Sequence, residues 1–271
     1  MGKKVILVSD LHAGHVVGLT PPSRHAVLSK LATKAQKKLE KTREKLWEIF
    51  AKEVKARGPF DIAIANGDMI DGDGGRSGGS ELLTPDPQEQ ASMAAECLKF
   101  IKAPQVYMTY GTPYHTGQTT DYERLVRDLV QDSKYTDTCE IKSHLYLDVN
   151  GVMFDCKHKT GSSGIPHGRH TAVAKEKLWA KLWADTGVAP DSDIIIRSHV
   201  HYAAYCGGPN HLAMTTPALQ GLGSKYGTRQ CSGIVDWGFT VFDIESDGRY
   251  SWEFVCPLAA NNAQKVQVLK A

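Results

Sequence analysis

Asp193-Ile194-Ile195-Ile196-Arg197-Ser198-His199-Val200-His201 is the stretch that decides the fold. Its apolar run is short, β-branched and bounded by polar residues, the pattern of a strand buried on both faces. Two histidines, one residue apart, follow at its end. Positions i and i+2 of an extended segment point the same way, so both imidazoles can face one site. Such a pair suits a transition metal. The alternative is one surface and one core histidine.

Working outward, the same design recurs. An apolar run from Lys4 to Ser9 ends in Asp10-Leu11-His12, again with i, i+2 spacing. The run Asp61 to Ala65 ends in Asn66-Gly67-Asp68, where glycine permits a tight turn. Gln105 to Tyr110 opens into Gly111-Thr112-Pro113-Tyr114-His115. Ile141 to Val149, Asn150-Gly151 and Val152 to Cys156 read as a β-hairpin that delivers His158 into a loop. Ligand sites in α/β folds lie outside the carboxyl ends of strands, where all these polar groups fall. Further strands are expected at Ala203–Cys206, Leu212–Thr215, Phe239–Ile244 and Tyr250–Val255. An Asp or His in any one cluster could equally be a turn cap or a stray side chain.

Between the strands lie helical patterns. Residues 21–57 carry Leu28, Leu31, Ala35, Leu39, Leu46, Ile49, Phe50 and Val54 at three- and four-residue steps. The opposite face is rich in lysine with glutamate interleaved. It reads as a solvated face with i, i+4 support, with a polyanion patch as the alternative. A glycine-rich loop from Asp71 to Thr84, with Arg76 in it, is long enough to be functional. Asp86-Pro87-Gln88-Glu89 reads as a helix start with a capping box, and Thr120 with Glu123 resembles another helix start. The helix after His170 is expected to pack Val173, Leu178, Trp179 and Leu182.

At 271 residues, with 41% hydrophobic and 23% charged residues, the chain has a globular composition. A formal charge of +2 does not by itself point to nucleic acid or membrane. No run reaches a membrane span, and the N-terminal apolar run is too short for a signal peptide, which gives the expectation of a cytoplasmic protein without a membrane partner. The six cysteines lack a C-x-x-C pair and read as reduced core residues. No P-loop pattern is present, which argues against nucleotide-triphosphate motors.

Asp10-x-His12, Gly67-Asp68, Gly111…His115, His158 and His199-x-His201, in this order, resemble the motifs of the calcineurin-like metallophosphoesterase family. That family's pattern is D-x-H, G-D, G-N-H, H and G-H-x-H, and the likeness spans residues 10–201. Two departures stand out: no Asn directly precedes His115, and Ser198 replaces the usual glycine.

The resemblance implies an α/β fold: a four-layer sandwich of two mixed β-sheets flanked by helices, one domain over 1–271 with a basic helical insertion near 21–57. It implies two divalent metal ions, Mn2+ foremost, with Fe, Zn, Ni or Mg as alternatives. Asp10, His12 and His201 would hold one ion, His158 and His199 the other, with Asp68 bridging. The missing Asn is normally a ligand of the second ion; Thr112, a backbone carbonyl or water could take its place. His115 would stand near the scissile phosphate as a proton donor or charge stabiliser. The expected reaction is hydrolysis of phosphate esters, diesters foremost, by a metal-bridging hydroxide. The alternatives are a DNA or RNA nuclease, with nucleic acid as partner, and a non-catalytic binding protein on this fold. The oligomeric state stays open.

Overall fold

The computed structural model describes residues 1–25, 33–75, 78–116, 121–208, 211–222, 235–258 and 260. Leu28, Leu31, Arg76 and Thr120, named above, lie outside the described residues, as does Cys231, one of the six cysteines. In chain order the first elements are β1 (Lys3–Val8), α1 (Lys34–Arg57), β2 (Ile62–Asn66), α2 (Pro87–Ile101) and β3 (Gln105–Thr109). Then come α3 (Pro113–Thr116), α4 (Tyr122–Gln131), β4 (Thr138–Lys142), β5 (Leu145–Val149), β6 (Val152–Cys156) and α5 (Gly168–Asp185). The chain continues with β7 (Ile194–Arg197), β8 (Ala204–Gly208), β9 (His211–Thr215), β10 (Phe239–Ile244) and β11 (Tyr250–Val255).

The strands form two mixed sheets. One runs β11-β10-β1-β2-β3-β4, with β1 to β4 parallel and β10 antiparallel to both neighbours. The other runs β5-β6-β7-β9-β8, parallel at its centre and antiparallel at both edges. The two-residue period of a strand sorts the apolar side chains into layers. Val5, Leu7, Ile62 and Ile64 face inward and meet Phe154, Ile194, Ile196 and Met214 between the sheets. Ile6, Val8, Ala63 and Ala65 face outward and pack under residues of α1, α2 and α4, including Leu46, Phe50, Leu98 and Val126. Val173 and Ala180 of α5 cover Ile195 and Ala213 on the far side. Helix, sheet, sheet and helix make four layers, as the resemblance implies. Among the described residues no helix is long and apolar enough to cross a membrane.

Several local readings are corrected. The run 141–149 is not one hairpin arm. β4 pairs with β3 in the first sheet, and after Ser143-His144 the chain crosses to the second sheet, where β5 pairs with β6. The Asn150-Gly151 turn is as expected, with positive φ at both residues. α1 begins at Lys34 rather than near residue 21, because Thr33 closes a capping box with Gln36. At the start of α2 the Asp86 cap forms, but Glu89 accepts from Thr84 instead of closing a box. α4 starts at an Asp121 cap, and its Glu123 is spent elsewhere.

α5 also differs from expectation. Leu178, Trp179 and Leu182 are exposed, and only Val173 and Ala180 are buried. At 100° per residue, positions five, six and nine after Val173 turn away from the sheet. On α1 the interleaved charges sort by face: Glu40 turns inward to Arg43, Glu53 pairs with Arg57, and Glu48 pairs with Lys45. Lys34, Lys37, Lys38 and Lys41 share an exposed face, with Glu44 also exposed nearby.

Candidate metal centre

The carboxyl ends of β1, β2, β3, β6 and β7 converge, and each delivers the side chains read from the sequence. Asp10, His12 and His201 form one group whose ligand atoms lie within 4.8 Å of one another. Asp68, His158 and His199 form a second, and His12, Asp68 and His115 a third that shares members with both. All seven candidate residues are thus brought together.

The backbone bends sharply to do this. Asp10, His12, Asp68, His199 and His201 all have positive φ, between 45° and 73°. Left-handed conformations at non-glycine residues cost roughly 1–3 kcal/mol each and gather at functional sites. Gly111 has no room for a side chain, since a Cβ there would overlap Asp68 Oδ1 and the Asp68 backbone nitrogen. At Gly67 a Cβ would lie 2.5 Å from His158 Nδ1. These glycines let two loops close onto the site.

The rings are held from behind. His158 Nδ1 lies 2.7 Å from the Asn66 carbonyl and His115 Nδ1 lies 2.7 Å from the Asp71 carbonyl. A carbonyl can only accept, so each Nδ1 carries the proton and each Nε2 is left to face the site. His12 Nδ1 donates to Asp71 Oδ1 at 3.0 Å. Such an outer partner is what orients a metal-binding imidazole.

Three of the inward atoms are orphaned. Asp10 Oδ1, His12 Nε2 and His158 Nε2 are buried without a hydrogen-bond partner among the described residues. His158 Nε2 is 2.9 Å from Asp68 Oδ2, and His201 Nε2 is 3.2 Å from Asp10 Oδ1. Buried polar atoms are normally satisfied, so lone pairs aimed at a common point fit a divalent ion. The N and O donor set suits Mn, Fe, Zn and similar ions.

Electrostatics agree. Burial opposes the charge on Asp10, but His201 and His158 outweigh it and hold its pKa at about 2. Burial likewise opposes the charge on Asp68, and His158 overcomes it, keeping the carboxyl well below its usual range. Burial and the neighbouring His12 lower the pKa of His115.

Two departures from the family pattern find their place. Thr112 donates to Asp68 Oδ1 from its backbone nitrogen at 2.7 Å, and its hydroxyl lies 3.1 Å from the same oxygen. Ser198 bonds Thr216 Oγ1 and accepts from Asn66 Nδ2, both at 2.7 Å. Ser9 joins Thr216, and Thr109 joins Asn66, so a fully buried polar floor links the two sheets under the site.

Asp71 and Glu123 were not read from the sequence as site residues. Asp71 stands three residues after Asp68, a spacing that could have flagged it. Glu123 is fully buried and accepts from Met69 N at 2.9 Å and Gly111 N at 2.6 Å, tying two site loops together. Burial and then Asp68 raise its pKa to about 7.

No protein-family model and no curated protein matches the chain. Among solved structures, Vps29 of Entamoeba histolytica complexed with zinc aligns over 92% of this chain and 97% of its own, with 12% identity and a TM-score of 0.44. An archaeal phosphodiesterase aligns over 92% of this chain and 98% of its own, at 14% identity and a TM-score of 0.42. The NAD nucleotidase of Haemophilus influenzae aligns over 93% of this chain and 49% of its own, at 10% identity and a TM-score of 0.40.

Proposed function

We propose that this chain is a cytoplasmic, metal-dependent phosphoesterase of the calcineurin-like kind that hydrolyses phosphate esters, diesters foremost. The observation that carries this reading is the cluster of Asp and His ligand atoms that converges from five strand ends, with Asp10 Oδ1, His12 Nε2 and His158 Nε2 buried and without a hydrogen-bond partner among the described residues. Asp10, His12 and His201 would hold one ion, and His158 and His199 a second, with Asp68 shared. Mn2+ is the first candidate, with Fe, Zn, Ni or Mg as alternatives. Bound ions supply concentrated positive charge for phosphate oxygens and make water more acidic.

The chain's own part is preorganisation. Ionised Asp10 and Asp68 offer oxygens rather than protons. Asp71 and the Asn66 carbonyl fix the imidazoles, so donors need not reorganise when a phosphate arrives.

A metal-by-substrate screen tests this. It pairs Mn2+, Zn2+, Ni2+, Fe2+ and Mg2+ with bis-p-nitrophenyl phosphate, p-nitrophenyl phosphate, cyclic nucleotides, and single- and double-stranded DNA and RNA. The expected result is metal-dependent diester cleavage that Asp68→Asn abolishes together with binding of both ions. No turnover of any phosphoester with any ion would overturn the proposal.

One observation favours a nuclease as the second reading. Lys34, Lys37, Lys38 and Lys41 lie exposed on one face of α1, and none has an acidic partner in an ion pair among the described residues. Arg43 of the same helix donates to the Val16 carbonyl at 2.8 Å, in the loop that follows His12. If polynucleotide runs there, reversing Lys37, Lys41 and Lys45 weakens binding and lowers the slope of log affinity against log salt by about one per lost contact. Unchanged binding and cleavage would remove this reading.

A further inference from the structure

We infer that His115 is a metal ligand on the His12 side of Asp68, hung from Asp71. The inference rests on the metal-centre reading above and extends it to a residue expected to act on substrate.

His12 and His115 share one anchor. Asp71 accepts from His12 Nδ1 through its side chain and from His115 Nδ1 through its backbone carbonyl. In both rings the hydrogen bond at Nδ1 leaves Nε2 as the atom available to a metal, the same arrangement that the Asn66 carbonyl imposes on His158. The His12 and His115 rings sit 4.6 Å apart between centroids. The ring pairs of the other two groups, His12 with His201 and His158 with His199, sit at 5.2 and 5.4 Å. His115 therefore stands to His12 much as the proposed ligand pairs stand to each other. Its donor atom is grouped with those of His12 and Asp68, and not with those of His158 and His199.

That placement separates His115 from the missing Asn. The Asn of the family pattern would serve the ion held by His158 and His199. Here the residue after Gly111 is Thr112, which is bonded to Asp68. His115 does not fill the vacant role; it adds a donor on the opposite side of the shared carboxylate. The chain then offers Asp10, His12, His201, Asp68 and His115 to one ion, and Asp68, His158 and His199 to the other.

Calorimetric titration with Mn2+ and Co2+ on the full chain tests this, with His115→Ala, His201→Ala and His199→Ala compared with wild type. His115→Ala should weaken at least tenfold the same ion that His201→Ala is expected to weaken, and change the Co2+ visible spectrum of that site. It should leave the ion lost in His199→Ala in place. A second measurement needs no variant. In 15N-histidine-labelled wild type, saturating Zn2+ should move the His115 Nε2 resonance from the value of a bare nitrogen to that of a metal-bound one. Two outcomes would each overturn the ligand role: wild-type binding of both ions in His115→Ala, or a His115 Nε2 resonance that ignores Zn2+. A wild-type chain that binds no ion would instead overturn the metal-centre reading itself.

Discussion

Arg197 and Asp155 form an ion pair of 2.8 Å in which both side chains are almost wholly buried. Asp155 lies three residues before His158 and Arg197 two residues before His199, so the pair clamps the ends of β6 and β7 that carry two candidate ligands. Glu176 and His144 complete the arrangement, at 2.7 Å from Arg197 Nε and Asp155 Oδ1 respectively. Replacing Arg197 with Met leaves Asp155 and Glu176 without the guanidinium between them. The expected cost is roughly 3–5 kcal/mol, the range for breaking a buried pair from one side. Urea unfolding of the metal-free chain measures it, and a loss below about 1 kcal/mol would show that the clamp contributes little.

Proton and metal compete at His158. In the metal-free chain burial pulls its pKa down, but Asp68 and Asp10 outweigh burial and hold it at about 10. A raised folded pKa means that the protonated ring stabilises the fold fully below the unfolded value of about 6.5, and that this contribution is lost as pH climbs through about 10. A metal ion needs the unprotonated ring, so uptake near pH 7 expels a proton. Affinity for the ion at Asp68, His158 and His199 should rise about tenfold per pH unit between about pH 7 and 10. Calorimetry in buffers of differing ionisation enthalpy should register the proton. Uptake without proton release would contradict the charge state assigned here.

Gly111→Ala probes how closely the third loop approaches Asp68. The added methyl must displace the carboxylate or the loop, since it would overlap Asp68 Oδ1 and N. Overpacking of this kind costs about 1–3 kcal/mol, and here it falls on the shared oxygen. Both ions should bind more weakly in the variant while far-ultraviolet dichroism stays unchanged. Normal titration curves would mean that the loop yields without cost.

Ser198→Gly introduces the residue usual in the G-H-x-H motif that this stretch resembles, and should harm this chain. Asn66 and Thr216 would each lose a buried partner, at about 1–3 kcal/mol for an unsatisfied group. Thermal unfolding compares the variant with Ser198→Thr, which keeps the hydroxyl. A more stable glycine variant would refute the role given to the polar floor.

What could be read in advance follows the range over which the signal acts. Strands ending in Asp10, Asp68 and His199 were legible because an apolar run and its polar stop are local patterns. The outward turn of Trp179 and Leu182 was not, because the helical period gives a face but not which face meets the sheet. Ser198 looked like a minor change because its partners, Asn66 and Thr216, are remote in sequence. His115 was legible as a site residue, yet its tautomer depends on the Asp71 carbonyl, which no motif encodes. Glu123 read as part of a helix start and instead spans the space between two loops.

The convergence of ligands from both sheets has a mechanical consequence. Asp10, His12 and Asp68 follow strands of one sheet, whereas His158, His199 and His201 follow strands of the other. An ion shared by Asp10 and His201, or by Asp68 and His158, therefore acts as a bolt through the sandwich and closes very long chain loops, as a cross-link would. With the bolts in place the sheets should open only as a unit. Drawn out by a chelator, they should leave sheets whose amides at Lys3–Val8 and Ile194–Arg197 exchange with separate opening energies.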